Sequence, residues 1–272
     1  MSRFAQLTAV VVGLISLVPS SALASVNISA AGSTALQPLV QAAAEAYQSQ
    51  NSDVKISVTG GGSRTGLSLV ASKSVDLGNS DIVATNQPAL VDHKVAVIGF
   101  SIVVNPANGV TNLTKKQIQD IFAGQVSNWK DVGGKDQSIT VINRPGNSGT
   151  RAVFMKTLMG TAEISKDTLT EDATGTVVQK VQQTAGAVSY AAFSGTHGKS
   201  GINELSIDGT APTENNVRVG KYPFWSYEHM YTNGEPNKDI ARFLAFLQSN
   251  NVLMQKAGYI PVSEMKVSEN DR

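Results

Sequence analysis

The chain contains no cysteine among its 272 residues. This absence excludes disulfide bonds, thiolate metal ligands and a cysteine that could carry a lipid anchor. An exported protein without disulfides has to be stabilised by its hydrophobic core. A chain of this length is long enough to form one large core or two lobes.

An excess of charge of either sign is also missing. The sequence has 22 Lys and Arg residues against 21 Asp and Glu residues, which gives a net charge of +1. Nucleic-acid-binding domains usually carry a basic face, so we expect no nucleic-acid partner. His93, His197 and His229 lie far apart in the sequence, without the spacing of metal ligands. We therefore expect no metal site and no cofactor.

Long apolar runs are confined to the start of the chain. Residues 1–24 carry one charge, Arg3, followed by an apolar run from Leu7 to Val18 and the ending Ala22-Leu23-Ala24. This order is typical of a secretory signal peptide that is cleaved after Ala24. A membrane anchor is the alternative, but the run is shorter than the roughly 20 apolar residues that a spanning helix needs. No later run is long enough to span a bilayer.

Beyond residue 24, strand-like and helix-like segments alternate. Val54 to Val58, Val95 to Val104 and Ala187 to Ala192 have strand-like patterns, whereas residues 63–71 and 239–247 have the apolar spacing of helices. This alternation predicts an α/β fold with mostly parallel strands.

Three turns rich in Gly, Ser and Thr lie where helix-like patterns begin, at residues 30–34, 59–66 and 142–151. A helix N-terminus presents unpaired N–H groups and a partial positive charge, which suits an oxyanion. Each turn alone is also consistent with an ordinary N-cap beside loop glycines. Three such turns together favour several helix ends directed at one anion, and the third turn adds the cation Arg144.

Two enzyme signatures are incomplete in this sequence. The stretch from Gly61 to Ser68 is close to a phosphate-binding P-loop, but Leu67 stands where that motif needs Lys. Ser148 does not lie in a Gly-x-Ser-x-Gly elbow, because residue 150 is Thr. Neither a nucleophile with an adjacent base nor a pair of metal ligands is evident, so we expect the protein not to be an enzyme.

Five motifs occur in one order along the chain: Ala31-Gly32-Ser33-Thr34, Gly62-Ser63-Arg64-Thr65-Gly66, Gly78-Asn79-Ser80-Asp81, a run from Leu113-Thr114 to Asn128-Trp129, and Arg144-x-x-x-Ser148-Gly149-Thr150. The ordered set resembles the phosphate-binding proteins of bacterial phosphate ABC transporters. The resemblance covers nearly the whole chain after residue 24.

The resemblance implies a two-lobe periplasmic-binding-protein-like fold of α/β class, in which each lobe is a sheet flanked by helices. Lobe one would hold residues 25–104 and 223–272, and lobe two residues 105–222. The protein would be a periplasmic monomer that captures inorganic phosphate in the cleft between the lobes, by hinge closure. It would then deliver the phosphate to the membrane permease of a phosphate ABC transporter.

The motif match also implies a set of phosphate-binding residues, which supply hydroxyl groups, backbone N–H groups and one cation: Ser33, Thr34, Ala35, Ser63, Asp81, Arg144, Ser148, Gly149 and Thr150. Asp81 is the exception among these donors, because it is a carboxylate that would face an anion. It fits only a ligand that carries a proton, as hydrogen phosphate does. An Asx turn or helix cap is the alternative role for Asp81.

One position departs from the family pattern. Many members have an acidic residue two positions after the arginine, where it holds the guanidinium, but this chain has Gly146 there. Arg144 is therefore either oriented by another carboxylate, with Glu171 and Asp172 as candidates, or less restrained. Arg151 is either a second cation or, as we favour, a solvated helix residue.

Two alternatives to a phosphate receptor are open at this point. The same donors suit a receptor for sulfate, molybdate or another oxyanion, and an exported phosphate-ester hydrolase could use similar turns.

The first segment yields a testable prediction about export. Cleavage after Ala24 predicts that the exported protein begins at Ser25, which N-terminal sequencing of the secreted product measures. Retention of Met1 in that product would contradict a cleaved signal peptide and favour the anchor.

Overall fold

The computed structural model of the protein describes residues 25–268, so the predicted signal peptide lies outside the described residues. The strands are β1 (Val26–Gly32), β2 (Val54–Gly61), β3 (Leu77–Ser80), β4 (Leu90–Val104), β5 (Asn112–Leu113), β6 (Thr140–Asn143), β7 (Leu169–Thr170), β8 (Ala187–Ala192), β9 (Asn203–Ile207) and β10 (Trp225–Asn233). The α-helices are α1 (Gln37–Gln50), α2 (Ser63–Ala71), α3 (Lys115–Phe122), α4 (Gly149–Phe154), α5 (Thr174–Gln183), α6 (Phe193–Thr196), α7 (Glu214–Arg218), α8 (Lys238–Ser249) and α9 (Asn251–Lys256).

The main sheet has the strand order β2-β1-β3-β10-β4-β8-β6-β7, and β9 pairs with β4 and β5 outside this path. The outer strands pair in parallel, as the sequence predicts: β1 with β2 and β3, and β6 with β7 and β8. The central strands differ, because β10 runs antiparallel to β3 and β4, and β4 runs antiparallel to β8 and β9. The expectation of mostly parallel strands therefore fails at the centre of the sheet, where the chain crosses and returns.

Strand β4 joins the two halves of the molecule. Its residues from Leu90 to Gly99 pair with β10, and those from Phe100 to Val104 pair with β8. All ten residues from Val95 to Val104 are buried, as expected of an almost wholly apolar strand that is covered on both faces. One continuous strand therefore carries hydrogen bonds in both halves of the sheet, to β10 in one half and to β8 in the other.

Aromatic side chains fill the region where the chain returns through β10. Phe154 stacks on Tyr190 with ring centroids 4.1 Å apart, and Phe122 lies 4.6 Å from Phe154. Phe224, just before β10, lies 5.1 Å from Phe100 of β4. Trp129, Phe224 and Trp225 are all fully buried, as expected of packing residues. No helix within residues 25–268 is long and apolar enough to cross a membrane.

The strand ends determine where the candidate functional residues lie. Ser33 follows β1, Ser63 begins α2 just after β2, Asp81 follows β3 and Arg144 follows β6. Parallel strands end at the same edge of a sheet, and open α/β sheets bind ligands at this edge. Residues from both halves of the chain therefore meet at one place.

Candidate anion-binding site

Arg144 is the central cation of the site and is only 2% exposed. Its backbone N–H donates to the Asn143 side-chain oxygen at 2.8 Å, and that oxygen also accepts from the Tyr190 hydroxyl at 2.7 Å. Its Nη2 donates to the Asp172 backbone carbonyl at 2.9 Å and to Thr34 Oγ1 at 3.3 Å. These contacts fix both ends of the side chain.

Two nitrogen atoms of the same guanidinium, Nε and Nη1, have no hydrogen-bond partner among the described residues. A buried charge is costly unless it is paired and hydrogen-bonded. Burial lowers the pKa of Arg144, while the nearby Asp81 carboxylate opposes that shift. A guanidinium held in place with free donors is suited to a bidentate contact with an oxyanion.

Asp81 is the anion of the site and is 3% exposed. Ser33 Oγ donates to one carboxylate oxygen, and Thr150 Oγ1 donates to the other at 2.9 Å. The Asp81 backbone N–H donates to Ser63 Oγ at 2.9 Å. Burial raises the pKa of Asp81, whereas the two hydroxyl donors and Arg144 act in the opposite direction. Asp81 thus contacts hydroxyl groups from three separate turns, two through its carboxylate and one through its backbone N–H.

Ser33 also organises the start of the first helix. Its Oγ accepts hydrogen bonds from the backbone N–H groups of Ala35 and Leu36, each at 3.0 Å. Helix α1 itself begins at Gln37. The Ala35 N–H, which the motif match assigns to the ligand, donates to Ser33 Oγ in this structure.

Ser148, Gly149 and Thr150 form the start of α4, as the sequence predicts. Ser148 Oγ accepts from the Arg151 N–H at 3.1 Å and so caps the helix. A Cβ atom added to Gly149 would lie 2.7 Å from Cβ of Ser63 and 2.9 Å from Cβ of Asp81. Only glycine allows the α4 turn to approach the strand ends of the other half this closely.

Hydrogen bonds cross between the two halves on both sides of Asp81. On one side, Thr34 Oγ1 lies 3.3 Å from Thr174 Oγ1 and accepts from the Thr174 N–H at 3.3 Å. On the other side, Asn147 Nδ2 donates to the Gly61 carbonyl at 2.8 Å, and the Arg64 N–H donates to the Asn147 carbonyl at 3.1 Å. The structure is therefore closed over the site.

A cleft of about 710 Å³ lies between α1 and α5, and Thr34 and Thr174 are among its lining residues. The cleft thus reaches Thr34, one hydrogen bond away from Arg144.

The structure brings all nine predicted site residues to this edge of the sheet, and it identifies others that sequence reasoning missed. Thr174 and Asn147 contact the opposite half.

Asp172 was a candidate partner of Arg144, but its backbone carbonyl rather than its carboxylate accepts the hydrogen bond. Arg151 is partly exposed and its backbone lies in the first turn of α4. Glu228, which no motif indicated, is fully buried near Asp81.

No group of three or more His, Cys, Asp or Glu residues that could hold a metal ion occurs within residues 25–268. The histidines contact other groups: His93 contacts Thr232, His197 contacts Glu214 and His229 contacts Asp92.

The two halves of the sheet share strand β4, and a buried cation lies where strand ends of both halves meet. This arrangement defines a two-lobe binding protein. A family model described as a PBP superfamily domain matches residues 18–251.

Individual relatives narrow this class. The phosphate-binding protein PstS of Bacillus subtilis (strain 168) is 45% identical over 256 residues, which cover 91% of this chain and 84% of that protein. A Clostridium perfringens structure, assigned as the substrate-binding protein of a phosphate ABC transporter and solved with phosphate bound, superposes with a TM-score of 0.83 at 27% identity, covering 87% of this chain and 99% of that one. An ABC-type phosphate transport receptor from Vibrio cholerae has a TM-score of 0.70 at 30% identity, covering 86% and 99%. The chain belongs to the PstS family of phosphate-binding proteins within the PBP superfamily.

The close approach at Gly149 gives a prediction about closure. Gly149→Ala places a methyl group against Ser63 and Asp81, so we expect this variant to stay more open than the parent. Small-angle X-ray scattering with an excess of phosphate or sulfate should show a larger radius of gyration for the variant. Gly146→Ala is the matched control, because a Cβ there has no atom within 4 Å. Equal scattering by the parent and both variants would contradict a contact at Gly149 that limits closure.

Proposed function

We propose that this protein is an extracytoplasmic substrate-binding protein that captures inorganic phosphate between its two lobes and delivers it to the permease of an ABC transporter. The observation that carries this proposal is the buried Arg144 guanidinium, which has two unpartnered nitrogen atoms and lies near Asp81. The phosphate-binding names of the relatives support the same ligand.

The chemistry of the site suits hydrogen phosphate. Arg144 offers a planar fork of donors that matches two oxygen atoms of a tetrahedral anion. Asp81 is an acceptor for the proton that hydrogen phosphate carries and that sulfate lacks near neutral pH. The remaining assigned groups are hydroxyl and backbone donors: Ser33, Thr34, Ala35, Ser63, Ser148, Gly149 and Thr150. Ser33 and Thr150 donate their hydroxyl hydrogens to Asp81 in this structure, so each hydroxyl would turn from the carboxylate to the anion when phosphate binds.

The closed arrangement supports capture by lobe closure. We assign residues 25–104 and 223–272 to one lobe and residues 105–222 to the other. The exchange of pairing partners along β4 supports a crossing within this strand, although the change lies between Gly99 and Phe100, ahead of the assigned bound at residue 104. The contacts of Thr34 with Thr174 and of Asn147 with Gly61 would then form when the lobes close.

The biological setting follows from the same proposal. Export by cleavage of residues 1–24 would place the protein in the periplasm, where it works as a monomer and meets the membrane permease. The role is binding rather than catalysis. In support, Ser148 Oγ accepts a hydrogen bond as a helix cap, and the three histidines contact groups other than Ser148.

Substitution of Arg144 tests the proposal directly. A charge-assisted hydrogen bond is worth about 1.5–3 kcal/mol, and about 1.4 kcal/mol corresponds to a tenfold change in affinity. Arg144→Ala should therefore weaken phosphate binding by at least roughly tenfold in isothermal titration calorimetry. Arg144→Lys restores the charge without the fork and should recover only part of that affinity.

Arg151→Ala is the matched control for this series, because Arg151 is the neighbouring cation in α4 and is partly exposed. We expect it to bind phosphate like the parent. Parent-like phosphate binding by Arg144→Ala, together with a loss of phosphate affinity in Arg151→Ala, would show that Arg151 rather than Arg144 is the binding cation.

Asp81 yields a separate prediction about the choice between phosphate and sulfate. An ionised Asp81 would face a sulfate oxygen with no hydrogen between them, which disfavours sulfate. A site built to hydrogen-bond one group can reject an analogue lacking that group by about 10⁴–10⁵-fold. Asp81→Asn should bind sulfate much better relative to phosphate, because an amide can donate as well as accept.

The measurement is a calorimetric titration of the parent and Asp81→Asn with each anion. An unchanged phosphate-to-sulfate ratio would remove Asp81 as the discriminating group. Strong sulfate binding by the parent would instead favour the alternative of a receptor for another oxyanion.

A further inference from the structure

Glu228 is a second carboxyl group buried beside the anion site. It lies in β10, is 0% exposed, and neither of its side-chain oxygens accepts a hydrogen bond from a donor group among the described residues. A buried carboxylate without any donor is among the most costly arrangements in a protein. A carboxyl group in this position is stable only if it is protonated or interacts with other groups of the site.

The pairing of the strands places Glu228 next to Asp81. In the antiparallel pair of β10 and β3, His229 lies opposite Ser80, so the preceding residue of β10 meets the residue after Ser80. The pairing of β10 with β4 shifts register between Glu228 and His229. Irregularities of this type redirect side chains and are frequent near functional sites.

The two carboxyl groups have unequal surroundings. Asp81 accepts hydrogen bonds from Ser33 and Thr150 and interacts with Arg144, all of which stabilise its ionised form. Glu228 has none of these donors. Adjacent buried carboxyl groups cannot both ionise readily, and one of them keeps a proton. The environment therefore assigns the negative charge to Asp81 and the proton to Glu228.

The other groups near Glu228 do not supply a positive charge. Its pairing partner on β4 is Ala96, and Tyr259 from the C-terminal segment is a neutral neighbour whose hydroxyl donates to the Ala35 carbonyl. The adjacent His229 bonds to Asp92. Burial raises the pKa of Glu228 well above its ordinary value, and the neighbouring Asp81 raises it further. These surroundings agree with a neutral Glu228.

We infer that Glu228 is a specificity-determining residue of the anion site, which holds a proton beside Asp81 and thereby keeps Asp81 the ionised acceptor. This inference rests on the proposed phosphate function and deepens it. Asp81 rejects sulfate only while it is ionised, because a protonated Asp81 could donate to a sulfate oxygen. The neutral acid of Glu228 has a proton to donate to the neighbouring Asp81 carboxylate, which is its side-chain hydrogen-bond partner, and this donation maintains the ionised state of Asp81. It also keeps a second negative charge away from the incoming anion.

Two substitutions separate this role from simple space filling. Glu228→Gln keeps a neutral side chain of the same shape with an N–H donor, so phosphate affinity and the phosphate-to-sulfate ratio should stay within about threefold of the parent, less than 1 kcal/mol. Glu228→Met keeps the length but lacks a donor. Loss of a hydrogen bond to a charged group should lower the phosphate-to-sulfate ratio by about tenfold or more.

A spectroscopic readout tests the proton without reference to binding. The infrared difference spectrum of the parent minus Glu228→Gln at neutral pH should contain the carbonyl band of a protonated carboxylic acid. Glu204→Gln is the matched control for affinity, because Glu204 accepts from Ser101 at 2.6 Å and contacts no assigned site residue. We expect this control to leave both anion affinities unchanged.

Three results would overturn the inference: an absent acid band, a gain of about tenfold or more in phosphate affinity for Glu228→Gln, or an unchanged anion ratio in a folded Glu228→Met. The first two would mean that Glu228 is ionised, and the third that it only fills space. Failure of the proposed function has a different signature, namely a parent that does not bind phosphate. The acid band would still decide the protonation of Glu228 in that case.

Discussion

The burial of one guanidinium is the constraint on which the site depends. Removing a cation from water costs several kcal/mol even after the protein relaxes, so Arg144 requires compensation from every side. The Asp172 carbonyl and Thr34 hold one end of the guanidinium, and Asp81 supplies the opposite charge nearby. Asp81 in turn gathers hydroxyls from turns of both halves. The convergence of strand ends from distant parts of the chain is what makes this compensation geometrically possible.

The parts of this arrangement that are encoded locally could be predicted from the sequence. The helix from Ser63 to Ala71 and the strand from Ala187 to Ala192 have the bounds that their patterns indicate. The capping box of Thr114 and Gln117 at the start of α3 is also encoded locally, because its hydrogen bonds join residues three positions apart. The turns with Ser33, Ser63 and Ser148 were recognisable for the same reason, since Gly, Ser and Thr at a helix start have a local function.

Features that depend on the path of the chain could not be predicted in this way. The partner of Arg144 is a backbone carbonyl 28 residues further on. Every residue has a backbone carbonyl, so the residue type does not show which one will accept this hydrogen bond. Glu228 lies in an aromatic, β-like segment outside the five motifs, and its place beside Asp81 depends on the antiparallel return of β10. That return also explains why the central strands are not parallel: the chain leaves one sheet along β4 and comes back along β10 in the opposite direction.

The continuity of β4 has a consequence for how the protein folds. Its first part is hydrogen-bonded to β10, and its last part to β8 and β9. Unfolding of either half of the sheet would therefore remove the strand that borders the other half. Separate melting of the two lobes would expose the apolar strand that both share. The molecule is therefore expected to behave as one cooperative folding unit. Amide protons at the centre of β4 should then exchange with solvent only through global unfolding, while the lobes remain free to move as bodies about that strand.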